Sequence, residues 1–288
     1  MPIRQDIIDL FDRFTHGDMS RRSFMQRLAS LAGGTAAAAA LLPMLENNYA
    51  HAAIVAEDDG RIETARVSFA ADGTEIGAYL AQPADSGTRP GIIVVHENRG
   101  LNPHIEDVAR RLATDGFVAL APDLLSVKGG TPADSDQART LIGDLDDAHV
   151  AAALKAAVTW LRDNPATNGE IGIVGFCWGG GWANRMAASD AGLGAAVAYY
   201  GRQLPAERAG DVSAPLLLHY AGLDERINAG IEAYTTALDA AGKPYEVVVY
   251  EGVNHAFNND TNAARYDKAA SDKAWARTVA FFNDYLGG

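Results

Sequence analysis

A single cysteine, Cys177, lies at the centre of the motif Gly-Phe-Cys-Trp-Gly at residues 175–179. An apolar run at 171–174 precedes it, and residues 180–189 suit a helix, so the cysteine lies at a turn between a buried strand and a helix. The flanking glycines allow a sharp turn, because side chains there would collide with neighbouring backbone. At a helix N-terminus, backbone N–H groups favour the nucleophilic thiolate. The alternative is that the cysteine is a small buried apolar residue, which is the commoner role of an isolated cysteine.

Candidate partners of this cysteine follow two later strands. Residues 215–220 predict a buried strand that leads to Asp224 and Glu225, and residues 245–250 predict another that leads to His255. A nucleophile, an acid and a histidine, each following a strand, occur in this chain order in the catalytic triad of α/β-hydrolases. This chain order favours a catalytic role for Cys177, with Asp224 and Glu225 as the two candidates for the acid of the triad.

The elements that would position these residues alternate between strand and helix. Strands are predicted at 62–69, 75–82, 90–96, 117–121, 171–174, 195–200, 216–220 and 247–250, with helices near 105–115, 134–163, 180–189, 230–241 and 264–286. The first two strands predict an antiparallel edge hairpin, and the alternation that follows predicts a doubly wound, mostly parallel sheet. Side chains just beyond the carboxyl ends of such strands cluster at one edge. We therefore predict an α/β-hydrolase fold, with one catalytic domain at residues 53–288.

Composition excludes several classes of function. The chain has 288 residues, is 48% hydrophobic and carries a net charge of −13, which argues against a nucleic-acid partner or adhesion to anionic lipid. One cysteine excludes an intramolecular disulfide. No cysteine and histidine group has the spacing of a metal site, so no metal and no cofactor is expected.

The first 52 residues predict an export signal. Ser-Arg-Arg-Ser-Phe-Met at residues 20–25 matches a twin-arginine signal, residues 28–45 carry no charge, and Ala-His-Ala at 50–52 offers a cleavage site. We expect residues 1–52 to engage the twin-arginine translocation machinery, and the folded enzyme to reach the periplasm, or to stay cytoplasmic if the leader is not functional. The alternative is a membrane-anchoring helix, for which about 20 strongly apolar residues would be expected.

An extension precedes this signal. Residues 1–18 contain acidic side chains and apolar residues at helical spacing, namely Ile3, Ile7, Leu10, Phe11 and Phe14. The spacing predicts an amphipathic helix. We expect this helix to bind a chaperone before export, or to dock on the catalytic domain if the leader is retained.

The chain resembles the dienelactone hydrolase family, which are carboxylic ester hydrolases with a Cys-His-Asp triad. The resemblance covers about residues 60–288 and is carried by Gly-Phe-Cys-Trp-Gly-Gly at 175–180, His-Glu-Asn-Arg-Gly-Leu-Asn at 96–102 and Asn-His-Ala-Phe at 254–257. The overall pattern is similar to an exported subgroup of this family with twin-arginine leaders.

The resemblance implies roles for the candidate residues. Cys177 attacks an ester carbonyl and forms a thioester, and His255 transfers the proton. Asp224, which occupies the family position rather than Glu225, orients the imidazole. The backbone N–H groups of Asn98 and Trp178 would form the oxyanion hole.

Three further residues are assigned roles around the nucleophile and the substrate. Glu97 resembles a family carboxylate that contacts and controls the nucleophile, against the alternative of a solvated loop carboxylate. Arg99 is a candidate for steering an anionic substrate, and Tyr199 for lining the acyl pocket. Both are assigned to substrate binding.

One departure from the family affects the expected substrate. Dienelactone hydrolases hold a substrate carboxylate with arginines, one of them shortly after the catalytic histidine, whereas no arginine follows His255 here until Arg265. A small neutral ester or lactone is therefore expected. The alternatives are a non-hydrolytic protein that uses Cys177 as a redox or ligand-binding thiol, and a phosphotriester or amide hydrolase.

Overall fold

The structure is a computed structural model that describes residues 3–17, 19–49 and 53–287. In this part of the chain the strands, β1–β8, span Ile62–Ala71, Thr74–Pro83, Arg89–Val95, Val118–Pro122, Thr167–Phe176, Ala195–Tyr199, Leu216–Ala221 and Tyr245–Tyr250. The α-helices, α1–α10, span Gln5–His16, Arg21–Ala32, Thr35–Leu45, Pro103–Thr114, Ser135–Gly143, Asp147–Arg162, Trp178–Ala187, Glu225–Asn228, Ile231–Ala240 and Lys268–Leu286.

The eight strands form a single sheet in the order β1-β2-β4-β3-β5-β6-β7-β8. Strand β2 is antiparallel to both β1 and β4, and the remaining pairs are parallel. This arrangement confirms the predicted α/β-hydrolase fold with an antiparallel N-terminal edge. Because β3, β5, β7 and β8 run in the same direction, the segments that follow them meet at one edge of the sheet.

Helices cover both faces of the sheet. Helices α4 and α10 pack on one face, where Val108 and Phe282 are fully buried. Helices α6, α7 and α9 belong to the other face, where Leu154, Trp182 and Leu238 are buried. Strand β3 lies between these two layers and contributes the apolar run Ile-Ile-Val-Val, all of it fully buried. A strand buried on both faces is therefore apolar at every position rather than at alternate ones.

Two predicted helices differ from the structure. The stretch predicted as helical at 134–163 is divided into α5 and α6, and the side chain of Asp146 caps α6 by accepting a hydrogen bond from Ala148 N at 2.7 Å. The helix predicted from residue 264 begins at Lys268, because the carboxylate of Asp267 accepts a hydrogen bond from Ala270 N at 2.9 Å. Both differences arise from N-capping by an aspartate.

Helices α1–α3 form a separate unit, which we call the N-terminal arm (residues 3–17 and 19–49). As the spacing predicts, α1 is amphipathic, and it buries Ile7, Leu10, Phe11 and Phe14. These side chains pack with Phe24 and Leu28 of α2 and with Ala38 and Leu45 of α3 in an apolar cluster distinct from the two clusters of the sheet. The rest of the described chain, residues 53–287, is called the sheet domain.

The uncharged run at 28–45 is not one continuous helix. Helix α2 ends at Gly33, whose φ of 85° is in the left-handed region that glycine adopts without strain. No single described helix is long and apolar enough to cross a membrane; α2 and α3 pass that test only as a pair, by length and composition, and they are bent by 111°. The cleavage site predicted at residues 50–52 lies outside the described residues.

The arm is docked on the sheet domain. The Arg139 guanidinium lies 4.5 Å from the centre of the Phe14 ring and donates a hydrogen bond to the Phe14 carbonyl. At the other end of the arm, the Leu45 carbonyl accepts a hydrogen bond from Asn262 Nδ2 at 2.6 Å. In the chain that retains α1–α3 the amphipathic helix therefore adopts the docked arrangement, one of the two expected for it.

Candidate active site

Cys177 lies at a strained turn between β5 and α7. Its backbone has φ 54° and ψ −113°, a conformation that residues with side chains rarely adopt. The turn requires its glycines, because a Cβ on Gly175 would lie 2.0 Å from Gly179 O and one on Gly179 would lie 2.4 Å from Val95 O. The turn presents the sulfur at the N-terminus of α7, beyond the carboxyl end of β5.

Asp224 and His255 are brought together from the ends of β7 and β8. The Asp224 carboxylate accepts a hydrogen bond from His255 Nδ1 at 2.5 Å through one oxygen and from Ile227 N at 3.2 Å through the other. Both side chains are almost fully buried, whereas Glu225 is exposed. The structure therefore pairs His255 with Asp224 rather than with its neighbour.

The charges of these groups reinforce one another. Burial opposes ionisation of Asp224, but the hydrogen bond and the positive charge of His255 hold its pKa below the usual value. Burial also opposes protonation of His255, yet the negative charges of Cys177 and Asp12 and the hydrogen bond to Asp224 raise its pKa to about 9. The site therefore favours a protonated His255 imidazole.

The sulfur of Cys177 lies between two imidazoles. One ring nitrogen of His16, one of His255 and the sulfur all lie within 4.8 Å of one another. The hydrogen bond of the sulfur goes to His16 Nε2, at 3.2 Å. His255 Nε2 is buried and has no hydrogen-bond partner among the described residues. The three predicted triad residues thus meet at one site, together with a histidine that the motif analysis does not include.

The two predicted oxyanion-hole residues lie beside the sulfur and line the same cavity. Trp178 is the first residue of α7, so its N–H belongs to the first turn, which has no intrahelical acceptor. Asn98 follows β3, and its side chain donates a hydrogen bond to the Thr15 carbonyl of the arm at 3.0 Å. The oxyanion-hole role of the two backbone N–H groups stays a prediction.

Glu97 is buried, which excludes the alternative that it is a solvated loop carboxylate. Its two oxygens accept hydrogen bonds from the Tyr200 hydroxyl at 3.3 Å and from Asn259 Nδ2 at 2.8 Å. Burial raises the pKa of Tyr200 well above its usual value, so this hydroxyl stays protonated and donates. Glu97 therefore supports the floor of the site through Tyr200, and its hydrogen bonds do not go to the sulfur.

Two predicted substrate-binding residues are placed elsewhere. Arg99 lies 3.5 Å from the Asp136 carboxylate, and Tyr199 is fully buried with its hydroxyl 2.7 Å from Thr278 Oγ1. Neither lines the cavity, whereas Tyr200 does, with a φ of 40° that turns it out of the end of β6. Tyr199 and Tyr200 are adjacent at the carboxyl end of β6, so a pattern of strand-end aromatics cannot decide which of them lines the cavity.

A cavity of about 740 Å³ opens beside the sulfur. Its wall includes four arginines from separate elements, Arg139, Arg185, Arg202 and Arg226, although none follows His255 closely in sequence. Three of them face carboxylates, with N–O distances of 3.9 Å for Arg139–Asp136, 2.7 Å for Arg185–Asp147 and 3.7 Å for Arg226–Asp12. The sequence around His255 gives no sign of this positive wall, because the fold assembles it from distant positions.

His16 is the functional candidate that motif reasoning missed. It lies at the C-terminal end of α1, four residues after Asp12, whose carboxylate is 3.0 Å from His16 Nδ1. The signal available in the sequence was this i, i+4 pair on a helix expected to dock. The arm residues Thr15, His16, Gly17 and Met19 form one wall of the cavity.

Comparison with known proteins assigns the sheet domain to a family. Residues 76–286 match the model of the dienelactone hydrolase family. The chain belongs to the dienelactone hydrolase family. It is thus a hydrolase of dienelactone hydrolase type, as the resemblance predicts. Separately, residues 2–34, within the arm region, match a model described as YqhI-like.

Individual relatives agree with this assignment. A Salmonella typhi protein named "Putative carboxymethylenebutenolidase" is 36% identical over 80% of this chain and 90% of its own length. The crystal structure of a Klebsiella pneumoniae protein named "Putative Dienelactone Hydrolase", 33% identical, superposes with a TM-score of 0.72 over 78% of this chain and 99% of its own. A dienelactone hydrolase-like promiscuous phosphotriesterase from metagenomic libraries, 26% identical, gives a TM-score of 0.73 over 79% of this chain and all of its own.

Proposed function

We propose that the protein hydrolyses small carboxylic esters or lactones through Cys177 and a thioester acyl-enzyme. The observation that carries this proposal is the meeting of Cys177, His255 and Asp224 at a cavity, with the His255–Asp224 hydrogen bond at 2.5 Å. A thiol, an imidazole and a carboxylate in this arrangement are sufficient for nucleophilic acyl transfer.

Acylation begins with the sulfur as a thiolate beside protonated His255. The sulfur attacks the carbonyl carbon, and the carbonyl oxygen takes up negative charge that the N–H groups of Trp178 and Asn98 stabilise. When the intermediate collapses, the C–O bond to the leaving group breaks and the imidazolium donates its proton to the departing alkoxide. The products of this step are an alcohol, or the open chain of a lactone, and a thioester.

Deacylation reverses these roles. Neutral His255 removes a proton from a water molecule, which attacks the thioester carbonyl. Collapse of the second intermediate releases the carboxylic acid and returns the sulfur to its starting state as a thiolate. Asp224 holds the imidazole in one orientation throughout both steps.

The cavity wall bears on the choice of substrate. Arg202 is exposed and has no ion-pair partner among the described residues, so it can attract a negatively charged substituent. Small esters and lactones, neutral or with one carboxylate, therefore form the proposed substrate class. The phosphotriesterase named among the relatives makes a phosphotriester a useful additional probe.

The test is to trap the thioester. Intact-protein mass spectrometry during turnover of p-nitrophenyl acetate should show a monoacetylated wild-type protein, and none for Cys177→Ala. Turnover without any acetylated species in rapidly quenched samples, or undiminished turnover by Cys177→Ala, would refute a cysteine nucleophile. A thiol that reacts with iodoacetamide but supports no turnover would instead favour the non-hydrolytic alternative.

A second proposal concerns location. The twin-arginine pattern at residues 20–25 supports export by the twin-arginine route to the periplasm, and cleavage near residue 52 would remove Asp12 and His16 together. Arg21 also makes an ion pair with Asp136 of the sheet domain, so its substitution affects docking as well. Fractionation of cells that express wild type and Arg22→Lys, with N-terminal mass analysis, tests export; equal periplasmic amounts of both would refute it.

A further inference from the structure

Two imidazoles converge on one sulfur from opposite parts of the chain. His255 belongs to the sheet domain and His16 to the arm, and their ring centres are 4.5 Å apart in an edge-to-face arrangement. The sulfur of Cys177 completes the group, with all three ligand atoms within 4.8 Å of one another. Acyl transfer needs only one of these imidazoles, so the proposed mechanism leaves His16 without a role.

The two histidines are oriented in the same way. His255 Nδ1 is bonded to the Asp224 carboxylate, and His16 Nδ1 lies 3.0 Å from the Asp12 carboxylate. A carboxylate at Nδ1 favours the tautomer that carries its proton there and leaves the lone pair of Nε2 free. Carboxylate–histidine pairs of this kind orient and strengthen metal ligands. His255 Nε2 is buried without a hydrogen-bond partner among the described residues, as expected of a ligand atom.

The three atoms lie within 4.8 Å of one another, near enough for small side-chain shifts to bring them onto one tetrahedral metal ion. With Zn–N bonds of about 2.0 Å and a Zn–S bond of about 2.3 Å, ligand atoms around zinc are roughly 3.3–3.6 Å apart. His16 Nε2 is already 3.2 Å from the sulfur. One thiolate and two neutral imidazoles are ligands that zinc prefers, and the adjoining cavity leaves the fourth position open to water.

We propose that His16, Cys177 and His255 bind a zinc ion, and that this ion masks the nucleophile while fastening the arm over the cavity. Lone pairs of the sulfur and of two neutral Nε2 atoms form the bonds to zinc. The proton shared by the Cys177–His255 pair leaves to solvent as the ion binds. Both electron-pair donors needed for acyl transfer are then occupied. Metal binding does not depend on the proposed function, but the masking does.

The binding test uses Co²⁺ as a spectroscopic substitute for zinc. Chelator-treated wild type that retains the arm, titrated with Co²⁺, should give a thiolate-to-metal charge-transfer band in the near ultraviolet and the visible bands of tetrahedral Co²⁺. Zn²⁺ should abolish both sets of bands by displacement. Absence of the charge-transfer band in wild type would overturn the proposal.

Variants of the arm decide whether His16 is a ligand. His16→Gln keeps a polar side chain of similar reach and should weaken binding by more than about 100-fold, because loss of an outer partner alone costs about 10–100-fold. Asp12→Asn should weaken it by about 10–100-fold. His149→Ala, on α6, and Asp9→Asn, on the exposed face of α1, are the matched controls and should bind as wild type does.

Docking of the arm is monitored separately, by protection of residues 3–49 against limited proteolysis. Unchanged affinity in a His16→Gln protein whose arm remains protected would overturn the three-ligand site. If the arm of His16→Gln is no longer protected, Asp12→Asn decides instead. An Asp12→Asn protein with a protected arm and tenfold weaker metal binding supports the site. An Asp12→Asn protein that binds the metal as tightly as wild type refutes it.

Masking is measured by ester hydrolysis in chelator and then with increasing free Zn²⁺. Inhibition should be reversed by chelator and should require at least 100-fold more zinc in His16→Gln. Hydrolysis by the zinc-loaded protein at or above the metal-free rate would overturn masking. No hydrolysis in chelator, together with an intact Co²⁺ spectrum, would refute the proposed function and leave the metal site standing.

Discussion

The molecule contains two carboxylate–imidazole pairs that face the same sulfur, and they are built in opposite ways. Asp224 and His255 are 31 residues apart and meet only because β7 and β8 lie side by side. Asp12 and His16 are four residues apart on a single helix, so their pairing is local. The first pair requires the whole sheet to form. The second pair requires only α1, and it reaches the Cys177 sulfur only when the arm is docked.

The two regions also differ in how they are packed. The sheet domain buries two large apolar clusters, one on each face of the sheet, and its active-site geometry depends on them. The arm has one small cluster of its own, and its contacts with the sheet domain include an arginine ion pair and hydrogen bonds. Local unfolding costs less where fewer apolar contacts are broken. We therefore expect the arm to undock under conditions that leave the sheet domain folded.

Removing each imidazole in turn should separate the roles of the two pairs most strongly. His255→Ala should lower kcat/KM for p-nitrophenyl acetate by about 10²–10⁴-fold, the usual contribution of a general acid–base group. The measurement is steady-state hydrolysis in chelator, with His149→Ala as the control. A loss of the same size in His16→Ala would contradict the assignment of proton transfer to the sheet-domain pair alone.

A pair of cavity-forming substitutions compares the stability of the two regions. Phe24 in the arm and Phe282 in the sheet domain are both fully buried, and replacing either with alanine should cost about 3–5 kcal/mol of the stability of its own region. Phe24→Ala should expose the arm to protease without lowering the main thermal unfolding transition. Phe282→Ala should lower that transition. A common shift of the main transition in both variants would show that the arm and the sheet domain unfold as one unit.

The same contrast explains what could be predicted from sequence. The strand-ending positions of Cys177, Asp224 and His255 were readable because each is flanked by an apolar run of strand length. The residue pattern alone leaves Asp224 and Glu225 as partners of His255, and the family resemblance favours Asp224. Burial of Asp224 and exposure of Glu225 agree with that choice. Local sequence patterns therefore predict where the strands end, whereas the folded structure shows which side chain contacts His255.

The rest of the site was hidden for a physical reason. His16 is separated from Cys177 by 161 residues, and no periodicity within α1 shows which surface it will contact. The arginines of the cavity wall likewise come from separate helices and loops. The sequence lacks the cysteine and histidine spacing of a metal site, but such spacing can reveal only ligands that lie close together along the chain.

A smaller effect concerns the protonation of His255. The charge of Cys177 contributes most to raising the pKa of this imidazole, so Cys177→Ala should lower its titration midpoint from about 9. Asp12→Asn should lower it less, since the arm carboxylate contributes less. NMR titration of the imidazole resonances measures both shifts, with Asp9→Asn as the control. A midpoint that stays near 9 without the thiol would assign the raised pKa to the carboxylates instead.

The smallest expected effect is that of His16 on the free sulfur. The hydrogen bond between His16 Nε2 and the Cys177 sulfur must be broken before the sulfur attacks, and a typical hydrogen bond contributes about 0.5–1.5 kcal/mol. In chelator, His16→Ala should therefore increase the rate of Cys177 alkylation by iodoacetamide by about 2- to 10-fold, while His149→Ala leaves it unchanged. A slower reaction would mean that the arm imidazole promotes the thiolate instead of shielding it. The two carboxylate–imidazole pairs would then act in the same direction on the sulfur, and docking of the arm would activate the site.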